Sequence, residues 1–117
     1  MNITPFVDFN PLGFPVPIDT SDTIVISRQT ANRYSVSACS IFNGGPSTVT
    51  VDVFVSVDTS SAAGSATQID TITIIANERV DVDALINQSY SGSRNVIMVA
   101  DLAGCVVDST GHEYTGA

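Results

Sequence analysis

The chain has 117 residues, 44% of them hydrophobic and only 14% charged, with twelve acids against four basic residues and a net charge of −8. That length supports one buried core and not two. The charge excludes a direct nucleic-acid binder, which needs clustered cations for its phosphate contacts, and an anionic membrane surface; no stretch approaches the ~20 apolar residues of a membrane helix.

Residues 1–20 stand apart as an N-terminal arm. They hold four of the five prolines and three of the five phenylalanines. Proline fixes φ and removes a donor, so the arm is expected to run extended, partly in polyproline geometry, and not as a helix or central strand. A solvated tail is polar, but this one carries Phe6, Val7, Phe9, Leu12 and Phe14. These are candidate partner contacts, expected to reach a neighbour rather than fold back over their own sheet edge. The N-terminus also lacks the basic start and apolar run of a secretory leader, so a cytosolic product is expected.

Residues 21–110 read as strands and turns. Strands are predicted over 22–29 and 33–42, the second ended by the turn signal Asn43-Gly44-Gly45-Pro46. Residues 48–58, TVTVDVFVSVD, alternate strictly, with Val49, Val51, Val53, Val55 and Val57 on one face and polar residues on the other. Phe54 breaks the polar face and is a further candidate partner contact. A Ser/Ala/Gly-rich loop over 58–67 leads to strands over 68–76, 95–100 and 105–108, and residues 79–86 are expected to start as a strand and end in a short helical turn. Residues 111–117 are a polar tail expected to fray. Seven to eight short strands at regular spacing predict an all-β fold, a single antiparallel β-sandwich or jelly roll with an extended N-terminal arm.

No motif carries chemistry. The single histidine, His112, falls in the polar tail, where a general base is not held beside a nucleophile. Asp81 and Asp83 sit on one strand face and lack the third acid of a calcium loop, so they read as a solvated face. Asn43-Gly44-Gly45 has no following Lys and is no phosphate loop. Asn87-Gln88-Ser89 matches the glycosylation acceptor by chance. Cys39 and Cys105 are read as buried free thiols, with one long-range disulfide as the alternative. The chain is therefore expected not to be an enzyme and to use no cofactor and no metal.

The runs DTIVISRQTANRYSV, SACSIFNGG (ending at Gly45), TVTVDVFVSVD and ANERVDVDALI together resemble small β-sandwich structural proteins of tailed-bacteriophage virions, of the capsid decoration (cement) type. The resemblance covers Asp22 to Asp108. It implies a homotrimer that binds the major capsid protein or another virion protein. It also implies a site on the capsid surface after synthesis in the host cytoplasm. A neck, tail or fibre component forming a ring is the structural alternative. A carbohydrate-binding module is the alternative from another class, weakened by the absence of Trp.

Overall fold

A computed structural model describes residues 6–9, 16–28, 32–58 and 62–114. Ten strands form: β1 (Phe6–Phe9), β2 (Val16–Pro17), β3 (Thr23–Ile26), β4 (Arg33–Asn43), β5 (Val49–Val55), β6 (Thr67–Ile74), β7 (Arg79–Asp81), β8 (Ser89–Ser91), β9 (Val96–Ala100) and β10 (Cys105–Tyr114). A short 3-10 turn, Ala63–Ser65, precedes β6. One sheet, A, runs β1-β10-β4-β7, with β2 also on β10 and β8 also on β4. The other, B, runs β3-β9-β5-β6. Every pairing is antiparallel. β1 and β2 share one edge position and β7 and β8 another, so the ten strands fill eight places in two sheets. That is a jelly roll.

The core lies between the sheets because strand alternation puts one apolar row of each inward. Tyr34, Val36, Ile41 and Val107 face in from sheet A, and Val49, Val51, Val53, Val55, Ile74 and Met98 from sheet B, all buried. Leu85, in the turn between β7 and β8, plugs the same core. Val57, expected on the buried face of β5, is instead 53% exposed. β5 stops at Val55 because Ser56 leaves the ladder: its N–H donates to the Asn95 carbonyl at 2.9 Å, and its hydroxyl accepts from the Asn95 N–H at 2.7 Å.

β4 does not keep one phase along its length. Thr110 faces Ala38, but the next residue, Gly111, faces Val36, so Ser37 is an extra residue. This bulge reverses the alternation. Before it, Tyr34 and Val36 point inward; after it, Cys39, Ile41 and Asn43 do.

Three loops meet at one end of the sandwich around Asn43, which is fully buried. Its amide donates to the carbonyls of Ser47 at 2.8 Å and Ile74 at 2.9 Å, and its Oδ1 accepts from Gly45 N–H at 3.0 Å. Its backbone bonds Glu78 and Asn77, and Gly44 N–H bonds the Gly104 carbonyl. Gly104 has φ +120°, and a Cβ there would lie 3.0 Å from Gly45 Cα, so only glycine fits this crossing.

The strands also extend past the expected end of the domain. β10 runs to Tyr114, so residues 111–114 are sheet and not a frayed tail. Their sequence has no apolar alternation. They are held by backbone pairing on both sides, to β4 and to β1, with Glu113 paired to Arg28 at 3.3 Å.

Asn43→Ala is expected to cost about 2–4 kcal/mol, since it leaves two carbonyls and a buried N–H without partners. Asn43→Asp, which turns a donor pair into a carboxylate facing those carbonyls, is expected to cost more. Urea unfolding of both variants checks the order.

Candidate interaction surfaces

The arm residues singled out by sequence fall in two groups. Phe6, Val7 and Phe9 lie on β1, whose backbone pairs with β10 in the register Phe6 to Tyr114 through Phe9 to Gly111. Leu12 and Phe14 lie outside the described residues. β1 is thus a proline-free tetrapeptide between Pro5 and Pro11, and it takes an edge position, where a neighbouring proline does least harm. The second arm strand, β2, puts Pro17 opposite Val106 on the same edge. The arm therefore meets its own sheet at two places. The sequence signal for this was the spacing of the prolines, which leaves one short run free to pair.

Phe54 lies on the outer face of sheet B, half-buried. Register places it beside Ile97 of β9 and Gln68 of β6, and Ile97 beside Ile24 of β3. These residues form one row across all four strands. Ile97 is fully buried although it faces outward, while Ile24 is 40% exposed. The 3-10 turn approaches β9 over this face, and the Ala63 N–H donates to Asp22 at 2.9 Å. Phe54 and Ile97 are therefore neighbours on the outer face, Ile97 fully buried and Phe54 half-buried, with the row open to solvent at Ile24 and Gln68.

Among the described residues, a depression lies on the outer face of each sheet. On sheet A, a groove of about 340 Å³ is lined by Ser37, Ala38, Ser40, Asp81, Asp108 and Thr110, among others. It opens where the β4 bulge sits and where small side chains leave space. Asp81 faces this groove, but Asp83 starts the turn beyond β7, so the D-x-D is split between strand and loop. Asp108 is paired to Arg79 at 3.1 Å, and Arg79 also donates to Ser40 and covers the Phe42 ring. On sheet B, a depression of about 540 Å³ is lined by Thr20, Thr50, Asp52, Val99 and Asp101. Its acids are bonded within the fold: Asp101 accepts from Thr50 N–H at 2.8 Å and Asp52 from Thr71 at 3.0 Å. Among the described residues, no group of three or more His, Cys, Asp or Glu stands close enough to hold a metal ion.

Both thiols point into the core and are 2% exposed. Cys39 lies opposite Ser109, and Cys105 opposite Asn43. They are therefore four positions apart along neighbouring strands, about 13 Å at ~3.3 Å per residue. A disulfide needs Cα atoms within about 7 Å, so the pairing left open by the sequence is closed off, and both are free. Burial pushes the Cys39 thiol from 9.0 up to about 12, with the carboxylates of Asp108 and Asp81 adding to it. Burial also raises Cys105, helped by Asp101. An activated nucleophile needs the opposite shift. His112 sits in β10, half-buried, with Asp8 and Ser35 as its cross-strand neighbours. Tyr34, raised by burial first and then by Tyr90, donates its hydroxyl to the Arg94 carbonyl at 2.8 Å.

The two outer faces and four edges of a jelly roll are thus the surfaces available for recognition. No family model matches the chain, and no curated protein does. Among solved structures, it is similar to a protein of the Bacillus endospore appendages, described as a novel family of disulfide-linked pili. Identity is 14% and the TM-score 0.56, over 99% of this chain and 93% of that one. It is also similar to PirA, at 15% identity and a TM-score of 0.48, over 96% of each chain. At such identities the likeness to the appendage protein is one of fold alone.

The thiols generate a prediction. Neither is expected to react with a thiol reagent in the native protein, and both should react in denaturant. Each folded-state value lies above its unfolded one, so the stabilisation is complete below pH ~9 and is lost as pH rises toward ~12. Cys39 alone is expected to contribute a fall of up to about 1.4 kcal/mol per pH unit in that window. Urea unfolding of native protein and Cys39→Val between pH 7 and 11 reads the difference in slope.

Proposed function

We propose that this protein is a non-enzymatic structural subunit that works by binding protein, and that its first partner is another copy of itself. The observation that carries this reading is the way sheet A is completed. Its outer strand, β1, comes from an arm separated from the body by Pro11 and Pro15 and is joined to β10 by backbone pairing. A strand added in this way is recognised through its backbone, and a neighbouring chain can offer the same backbone. The chain's reactive groups are tied up in the fold: the thiols are buried and raised, and the best-placed acids are bonded to strands and loops. The shared fold with an appendage protein supports an assembling subunit, since that protein belongs to pili.

A second reading follows from the sequence. A capsid decoration protein, trimeric and bound to the major capsid protein on the virion surface, also uses a sandwich with an apolar arm. The density of Phe6, Val7, Phe9, Leu12 and Phe14 in the arm favours it. Neck, tail and fibre components are variants of the same proposal.

One experiment separates them. Purified protein is concentrated and followed by light scattering and electron microscopy, alone and with capsid shells. Self-association in the absence of shells supports the first reading; a discrete trimer that binds shells supports the second; a monomer that does neither defeats both. Deleting residues 1–9 is expected to leave circular dichroism near native and to weaken assembly at least about tenfold, the loss of one strand's contacts. Assemblies are expected to survive reductant, because both cysteines are inside the core, unlike in the disulfide-linked pili whose fold this chain shares.

A further inference from the structure

Seven asparagines lie in the chain, and Asn43 alone is followed by glycine. The others precede Ile, Pro, Arg, Glu, Gln or Val. An Asn-Gly pair has a chemistry of its own. The backbone nitrogen of the residue after an asparagine can attack the side-chain amide carbon and close a succinimide ring. A side chain on that residue crowds the attack, and glycine has none. The most reactive asparagine of this sequence is therefore the one on which an end of the sandwich hangs.

The fold holds both reacting groups. Asn43 is fully buried. Its Nδ2, the group that would leave, donates to the carbonyls of Ser47 at 2.8 Å and Ile74 at 2.9 Å, and its Oδ1 accepts from the Gly45 N–H at 3.0 Å. The Gly44 N–H, the group that would attack, donates to the Gly104 carbonyl at 3.0 Å. The backbone of Asn43 is fixed on both sides: its N–H donates to the Glu78 carbonyl at 2.9 Å, and its carbonyl accepts from the Asn77 N–H at 2.8 Å. Ring closure requires the side chain to turn toward Gly44 and the Gly44 nitrogen to give up its proton. In the native state each step breaks hydrogen bonds of a buried group, which is costly.

We propose that Asn43-Gly44 is a deamidation site that the native fold closes and the unfolded or locally opened chain exposes. In the open chain the Gly44 nitrogen bonds to Cγ of Asn43, its proton passes to Nδ2, and Nδ2 leaves as ammonia. Water then opens the succinimide at one or other of its carbonyls, giving aspartate or isoaspartate. Aspartate offers no donor to the Ser47 and Ile74 carbonyls and sets a charge against them. Isoaspartate carries the main chain through the side-chain methylene, which lengthens the backbone between the groups bonded to Glu78 and to Gly104. Neither product rebuilds the knot, so the reaction makes a passing opening permanent. The frequency with which this end of the sandwich opens then sets how long a folded copy lasts. This holds whether or not copies associate.

Protein in buffer and protein in urea are held side by side at mildly alkaline pH. Peptide mass spectrometry reads amide loss at each asparagine, and chromatography separates the isoaspartate form. Residue 43 is expected to convert in urea, and at least about a hundredfold more slowly in the native protein, since only the open fraction reacts. In urea, Gly44→Ala is expected to convert at least about tenfold more slowly than the unaltered chain, because the added methyl crowds the attacking nitrogen. Returned to buffer, converted chains are expected to unfold at a lower urea concentration than unconverted ones. If the native protein converts as fast as the chain in urea, the fold does not guard the site. If residue 43 converts in urea no faster than Asn77 and Asn87, which precede Glu and Gln, the site is wrong. If converted chains refold with the unconverted urea midpoint, the knot does not depend on the amide and the proposal fails.

Discussion

The amide of Asn43 is buried at one end of the sandwich, and three segments of chain hang on it. It holds the loop after β4 through Ser47 and Gly45 and the end of β6 through Ile74, while its own backbone receives the β6–β7 turn. A buried amide is costly unless its donors and acceptor are met. Here they are, so the side chain fixes where β5 begins, where β6 ends and how closely Gly44 approaches Gly104. Sheet A and sheet B are joined at this end by hydrogen bonds, whereas their faces are joined by packing. Among the described residues the sandwich has no α-helix to brace it, and this polar knot takes that part.

The sequence made β5 plain because Val49 to Val55 alternate without a fault and one face of that strand meets the core. It also placed β4, expected over 33–42 and found over Arg33–Asn43, but not which of its residues face the core, because the extra residue at Ser37 puts two phases in one strand and no period fits both halves. Residues 111–114 carry no strand signal for the same kind of reason: periodicity detects a buried face, and those residues are held by backbone bonds on either side instead. Asn43 was legible as a turn residue but not as a buried one, since burial of a polar side chain depends on carbonyls that come from residues 47 and 74. Phe54 lies on the outer face of β5, where the alternation places it. What the sequence could not tell was that Ile97, its neighbour on β9, is fully buried although it faces outward.

The surfaces follow from the same accounting. Of the acids beside the two depressions, Asp108, Asp52 and Asp101 are engaged with arginine, with threonine and glutamine, and with a backbone N–H, and the thiols are turned inward. A strongly acidic chain repels its own copies at long range.

The bulge at Ser37 has a consequence for the way this chain tolerates change. It works like a frame shift in a reading frame, with side-chain direction as the thing being read. Residues on its N-terminal side face the core at even numbers and those on its C-terminal side at odd numbers. Removing one residue there would shorten nothing visible, yet it would turn half of an eleven-residue strand inside out. Insertions and deletions are ordinarily absorbed in loops; in this chain the middle of the longest strand carries the one residue whose presence sets the frame for both of its halves.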